Sequence, residues 1–226
     1  MNMRNLSNMV LFQGISKQEV QEMLLCSQGT FQHFSRQEFI FYVNDTPRYV
    51  FCIAKGSVLL AEDKMDGKRT ILNVYHTGSI FGEIFCFQGS HRYPYYAAAL
   101  EDTDLYCIPW EFFYHRCSRL CSHHEILEKN LLKIMAEQSL EMINHFKILS
   151  CRTLRQKIAK YLLSQPFEQE HIKQFLSREE LADYLCVTRP SLSRELMAMK
   201  RDGLFYIKAK EFYIPDRSAL MQVAND

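Results

Sequence analysis

The chain has 226 residues, 47% of them hydrophobic and 23% charged, with a formal net charge of +1. This is the composition of an ordinary globular protein with a proper core, enough for one large domain or two small ones. Residues 151–226 carry 13 Lys and Arg against 10 Asp and Glu, a balance of +3, and residues 1–150 a balance of −2; the asymmetry fits a polyanion partner without establishing one.

The start, "MNMRNLSNMV", has no long apolar stretch of the kind a secretion signal needs. No run approaches the length of a membrane span, so no membrane partner is expected. The 8 cysteines are scattered without a Cys-x-x-Cys, and free thiols in a reducing cytoplasm are the expectation.

Residues 6–27 read as one or two short helices, with Leu6, Met9, Val10, Val20, Met23 and Leu24 as apolar positions. From about Thr30 to Ile108, short β-rich runs alternate with glycine. Gly56, Gly67, Gly78 and Gly89 fall 11 residues apart, the turn spacing of an antiparallel sandwich or barrel. Asp66-Gly67 reads as a hairpin turn, because glycine supplies positive φ.

From Glu111 to Leu149 the period becomes helical. Leu132, Met135, Ser139, Met142, Phe146 and Leu149 are spaced 3-4-3-4-3, a narrow coiled-coil seam. A core helix packed within its own chain is the plain alternative. The strict seam favours a partner helix, and the simplest partner is a second copy. Residues 152–164 are helical again, and "QPFEQEH" reads as a loop.

The C-terminal part is more specific. Ser177-Arg178-Glu179-Glu180 fits a capping box, and Leu181 and Leu185 lie on one face of the short helix that follows. "CVT" is a tight turn, and Thr188 is a good N-cap for a second helix. Pro190 lies in that helix's first turn, where its missing N–H has no partner to lose, so the proline starts the helix. Leu192, Leu196 and Met199 form its buried stripe, and Gly203 suits a left-handed cap. The opposite face carries Arg189, Ser193, Arg194 and Met197. Two short helices, a tight turn and a displayed arginine-serine face make a helix-turn-helix, and "LFYIKAKEFYIPD" adds a hairpin wing. A merely solvated helix face is the bland reading of the arginines; cap, turn, stripe and wing in register favour DNA.

A β-rich domain, a long helix and a winged helix-turn-helix, in that order, resemble the cyclic-AMP receptor / fumarate-nitrate regulator (CRP/FNR) superfamily of bacterial transcription factors. "GSIFGEI" (Gly78–Ile84) and "LSREELADYLCVTRPSLSREL" (Leu176–Leu196) carry the resemblance most specifically. It implies an α+β fold: an N-terminal β-roll of the cyclic-nucleotide-binding, jelly-roll kind over residues 1–117, a dimerisation helix over 118–150, and a winged helix-turn-helix over 151–226. It also implies a cytoplasmic homodimer on a near-palindromic, double-stranded operator, with RNA polymerase as a candidate partner and a small-molecule effector. Thr188, Arg189, Ser191, Ser193 and Arg194 are the expected DNA contacts. Leu132, Met135, Met142, Phe146 and Leu149 are the expected dimer contacts.

Two positions depart from the family pattern. Pro190 stands where the recognition helix commonly has a base-reading glutamate, and Cys186 where the turn commonly has glycine. In cyclic-nucleotide-binding members Gly-Glu is followed about ten residues later by Arg-Ser or Arg-Thr. Here Gly82-Glu83 is followed by Arg92-Tyr93-Pro94, and proline offers neither hydroxyl nor amide. The expected effector is therefore something other than cyclic AMP. Glu83, Arg92, Tyr93, Tyr95 and Tyr96 are its candidate contacts, for an aromatic or anionic small molecule; a roll closed by the tyrosines is the alternative.

Other chemistries are weaker. Cys26 is the lone cysteine near the N-terminus, which disfavours a four-thiolate iron–sulfur cluster. His115, Cys117, Cys121, His123 and His124 crowd one segment, a pattern open to metal or thiol-redox sensing, but buried thiols with an exposed histidine fit it as well. No metal or other cofactor is expected. A cupin-like metal enzyme would need a His-x-His pair, and no catalytic fingerprint is present, so no enzyme is expected.

Overall fold

The structure is a computed structural model and describes residues 9–65, 69–114, 123–167, 171–173, 176–208 and 211–225. Two compact units emerge. The first draws on the chain up to Glu62 and on Ile71–Gln138, the second on Asp63–Thr70 and on the chain from Ser139 onward.

In the first unit, Leu11 and Phe12 are buried on a 3-10 turn, Val10–Phe12. Helix α1 (Lys17–Cys26) opens with a capping box between Ser16 and Glu19 and buries Val20, Met23 and Leu24. Among the described residues eight strands follow: β1 (Thr30–Phe34), β2 (Phe39–Phe41), β3 (Tyr49–Lys55), β4 (Ser57–Asp63), β5 (Arg69–His76), β6 (Ile80–Phe81), β7 (Tyr96–Ala99) and β8 (Thr103–Pro109). They form two four-stranded sheets, ordered β1-β8-β3-β6 and β2-β7-β4-β5. Helix α2 (Glu83–Gln88) leaves β6, and the 27-residue α3 (His123–Leu149) follows later.

The apolar run of β3 reflects burial on both faces. Phe51 and Ile53 join Phe34, Phe41, Phe81, Tyr93 and Leu105 inside the roll. Val50, Cys52 and Ala54 face the opposite way, onto a second core with Phe12, Val20, Met23, Leu127, Leu131 and Ile134. Gly56 turns β3 into β4 at φ +94°, and a Cβ there would collide with Thr103 and lie 2.8 Å from the Asp102 carbonyl oxygen. Only glycine fits. The Asp66-Gly67 turn lies outside the described residues.

The second unit contains α4 (Leu154–Ser164), β9 (His171–Lys173), α5 (Arg178–Tyr184), α6 (Arg189–Arg201), β10 (Tyr206–Lys208), β11 (Glu211–Tyr213) and α7 (Arg217–Asn225). Its core joins Ile158, Leu162, Leu181, Leu185, Leu192, Leu196, Met199, Phe205, Phe212 and Leu220, all buried. The wing is a three-stranded sheet ordered β10-β11-β9, with Ile172 opposite Phe212. The stretch read as a loop therefore ends in a strand, since His171 begins β9. A three-residue strand is too short to show a period of two. No helix among the described residues is long and apolar enough to cross a membrane.

Candidate functional site

The α5–turn–α6 segment folds as its residues dictate. Ser177 Oγ accepts from Glu180 N at 3.2 Å and Glu180 Oε2 accepts from Ser177 N at 2.7 Å, closing the capping box. Leu185 caps α5, and Cys186 takes the left-handed conformation at φ +55°. A non-glycine residue there carries some strain. The Tyr184 ring stacks on His145 of α3 at 3.9 Å, and Asp183 pairs with Arg69 at 2.8 Å.

Thr188 is the α6 N-cap, its Oγ1 accepting from Ser191 N at 3.4 Å. Arg189 and Pro190 are the first two helical residues, so the proline forfeits no intrahelical bond. Leu192, Leu196 and Met199 are buried at 0–2% exposure. Arg189, Pro190, Arg194 and Met197 are exposed beside half-buried Ser191 and Ser193. Arg194 Nη2 reaches Ser191 Oγ at 3.5 Å, a contact loose enough to leave the guanidinium available. Glu195 is held instead: its Oε1 accepts from Arg155 Nε at 2.7 Å, and Arg155 Nη2 also donates to Asp202 at 2.6 Å. Lys200 and Arg201 lie in the last turn, and Gly203 at φ +76° lets Leu204 N bond back to Met199 O.

On α3, Leu127, Leu131, Ile134 and Ile148 are buried. Leu132 (68% exposed), Leu140, Met142, Ile143 and Phe146 (70%) are uncovered, while Met135 and Leu149 are half-buried. Leu140 and Ile143 were not in the 3-4 seam; each follows a seam position, Ser139 and Met142, and widens the exposed apolar stripe.

Of the five residues picked out in the roll, Glu83, Tyr93 and Tyr95 come together, while Arg92 and Tyr96 stand apart. The Tyr93 ring lies inside, stacked on Phe41 at 3.8 Å and 12°. Tyr95 packs edge-on against Phe85, and Tyr96 edge-on against Phe39. Arg92 is exposed, and Glu83 is fully buried. Of the five, Tyr93 alone lines the roll's pocket, about 390 Å³, beside Phe41, Phe51, Arg48, Asp45 and Gln32. Arg48 follows Pro47 just before β3, and no motif in the sequence singled it out. Burial pushes the Cys86 and Cys107 thiols up to about 12, and Cys52 upward as well, away from thiolate chemistry.

His124 is buried against the Phe112 ring, which lowers its pKa, and His123 pairs with Glu19 at 3.1 Å. His115, Cys117 and Cys121 lie outside the described residues.

Comparisons with known proteins match this layout. A family model described as a cyclic nucleotide-binding domain matches residues 31–119, and one described as a Crp-like helix-turn-helix domain matches residues 156–223. The cyclic AMP receptor protein of Thermus thermophilus is 26% identical over 215 residues, covering 95% of this chain and 96% of that one. The transcriptional activator protein anr of Pseudomonas aeruginosa is 24% identical over 194 residues, covering 83% and 77%. Among solved structures, FixK2 from Bradyrhizobium japonicum superposes with a TM-score of 0.72 at 20% identity, over 86% of this chain and 96% of that one. With both domains matched in this order, the chain belongs to the CRP/FNR superfamily and is a transcription regulator with a helix-turn-helix DNA-binding domain.

Proposed function

We propose that this regulator binds a near-palindromic DNA operator as a homodimer, with α6 of each copy in the major groove. The observation that carries the reading is the two-sided character of α6. Leu192, Leu196 and Met199 anchor it, while Arg189 and Arg194 stand exposed with Ser191 and Ser193 between them. An arginine can donate two bonds to guanine O6 and N7, and helix N-terminal residues are the ones that reach base edges. A two-fold dimer sets half-sites about 34–36 Å apart. The uncovered stripe of α3 supports pairing between copies.

The effector is a small molecule other than cyclic AMP, held in the roll. The pocket beside Tyr93 supports this, with aromatic walls and Arg48 and Asp45 at its exposed rim. Native mass spectrometry of protein purified from its host tests for that molecule; a chain carrying none, and no small molecule altering its DNA binding, would overturn the effector reading.

Selection of sites from a random DNA pool tests the DNA reading. A palindrome with one fixed guanine per half-site is expected. Pro190 can make only apolar contact, for instance with a thymine methyl, where a glutamate would accept from cytosine N4. Pro190→Glu should therefore sharpen preference at one neighbouring position and leave the salt dependence nearly unchanged. A strict cytosine requirement in the unaltered protein would mean that α6 is placed wrongly in the groove.

A further inference from the structure

Glu83 begins α2 directly after Gly82, whose φ of +86° turns the chain inward. Its carboxyl group is fully buried, and neither oxygen has a hydrogen-bond partner. Gln138 of α3, also buried, donates from Nε2 to the Ile80 carbonyl at 2.9 Å, while its Oε1 has no partner. One side chain of α3 thus meets the β6–α2 turn, bonded at Ile80 and adjoining the Glu83 carboxyl. The pocket holds three unpartnered acceptor oxygens. As a carboxylate, Glu83 would add a charge to this set and no donor.

The ionisable groups that face Glu83 supply no counter-charge. They are Cys52 of β3, Cys86 of α2 itself, and Tyr93 and Tyr95 of the segment before β7. Burial pushes the thiols and phenols upward, so all four are neutral. The Cys86 thiol is directed at the Tyr49 carbonyl at 3.6 Å, and the Tyr93 hydroxyl has no hydrogen-bond partner. A buried carboxylate with no facing cation is costly, and the least costly remedy is to bind a proton.

We propose that Glu83 is a protonated carboxylic acid, and that this proton is a latch that keeps the contact between α3 and the β6–α2 turn neutral. Loss of the proton leaves a buried charge with no facing cation at this contact and loosens α3 from the turn. The latch makes the packing of α3 sensitive to pH within the physiological range. It rests on neither the DNA reading nor the effector reading.

Burial raises the Glu83 pKa from 4.5 to about 7, and the backbone of Glu83 itself and the Gln138 side chain weigh only partly against that rise. In the unfolded chain the carboxyl ionises near 4.5. The folded state therefore holds the extra proton between 4.5 and about 7, and stability falls as pH rises through that window. Below it the full contribution is present; above it the contribution is gone.

The test is an infrared titration of the full-length chain. At pH 6 ordinary carboxyl groups are ionised, so a protonated-carboxyl band reports one that is raised. The band should be present in the unaltered protein, fall about tenfold between pH 6 and pH 8, and be absent in Glu83→Gln. Glu83→Gln should also lose the fall in thermal stability between pH 4.5 and about 7, since an amide stays neutral at every pH. If that variant fails to fold, Gln138→Leu provides the second measurement, and its band should titrate at a higher pH because the side chain that lowers the Glu83 pKa is gone. No protonated band at pH 6, or an unchanged titration in Gln138→Leu, would overturn the proposal.

Discussion

Arg155 of α4 holds Glu195 of α6, Nε to Oε1 at 2.7 Å, and the same guanidinium reaches Asp202 at 2.6 Å. The pairing withdraws the one carboxylate in the middle of α6 from any base edge and leaves Arg194, its neighbour, free to turn outward. Arg194→Ala should weaken operator binding by about 1–3 kcal/mol per guanine contact while leaving the fold intact. Glu195→Gln should keep the site preference and cost about 0.5–1 kcal/mol of stability, the scale of a partly exposed ion pair. Gel-shift competition against random DNA and urea denaturation separate the two; unchanged discrimination in Arg194→Ala would remove that residue from the readout.

The α3 stripe makes a different prediction. Phe146 is 70% exposed in the single chain, so Phe146→Asp should leave the monomer folded. In a dimer the same carboxylate would be buried without a counter-ion. Sedimentation velocity should show monomer at concentrations where the unaltered protein is dimeric. A fully dimeric variant would place the interface elsewhere.

Gly82 should tolerate no side chain. Its φ is +86°, and a Cβ would lie 2.8 Å from Phe51 Cδ2 and 3.1 Å from the Tyr49 carbonyl oxygen. Gly82→Ala combines backbone strain with a clash in the roll, a loss of about 1–3 kcal/mol from the backbone alone. Thermal unfolding should show a lower Tm; an unchanged Tm would mean the turn can rearrange.

Cyclic AMP should produce no heat in calorimetry and no gain in DNA affinity. The Tyr93 ring is stacked on Phe41 at 3.8 Å, Pro94 carries no hydroxyl, and Arg92 is on the surface. Micromolar binding would require this segment to refold around the ligand.

What the sequence made legible was local. Ser177 with Glu180, Thr188 with Ser191, and Pro190 at the helix start are contacts within three or four residues, written directly in the residue order. The α6 stripe follows the helical period, and all three of its apolar positions are buried. The roll was legible as a class of architecture, from turn spacing, but not as a site. Phe41 meets Tyr93, and Gln138 meets the turn holding Glu83, across more than fifty residues of chain; no period or cap encodes such pairings. Tyr93, Tyr95 and Tyr96 are close in sequence, yet Tyr93 and Tyr95 share Phe41 and Phe85 while Tyr96 meets Phe39. Strand β9 was missed because it has three residues, and its partner Phe212 comes forty residues later.

The stripe on α3 has a consequence for how such a regulator responds to its own abundance. A helix that commits Leu127, Leu131 and Ile134 to its own fold leaves its other face to mass action. Where monomers predominate, the amount of a two-copy species grows with the square of the chain concentration. A twofold change in synthesis would then change operator-competent dimer about fourfold, a steep response obtained without any ligand.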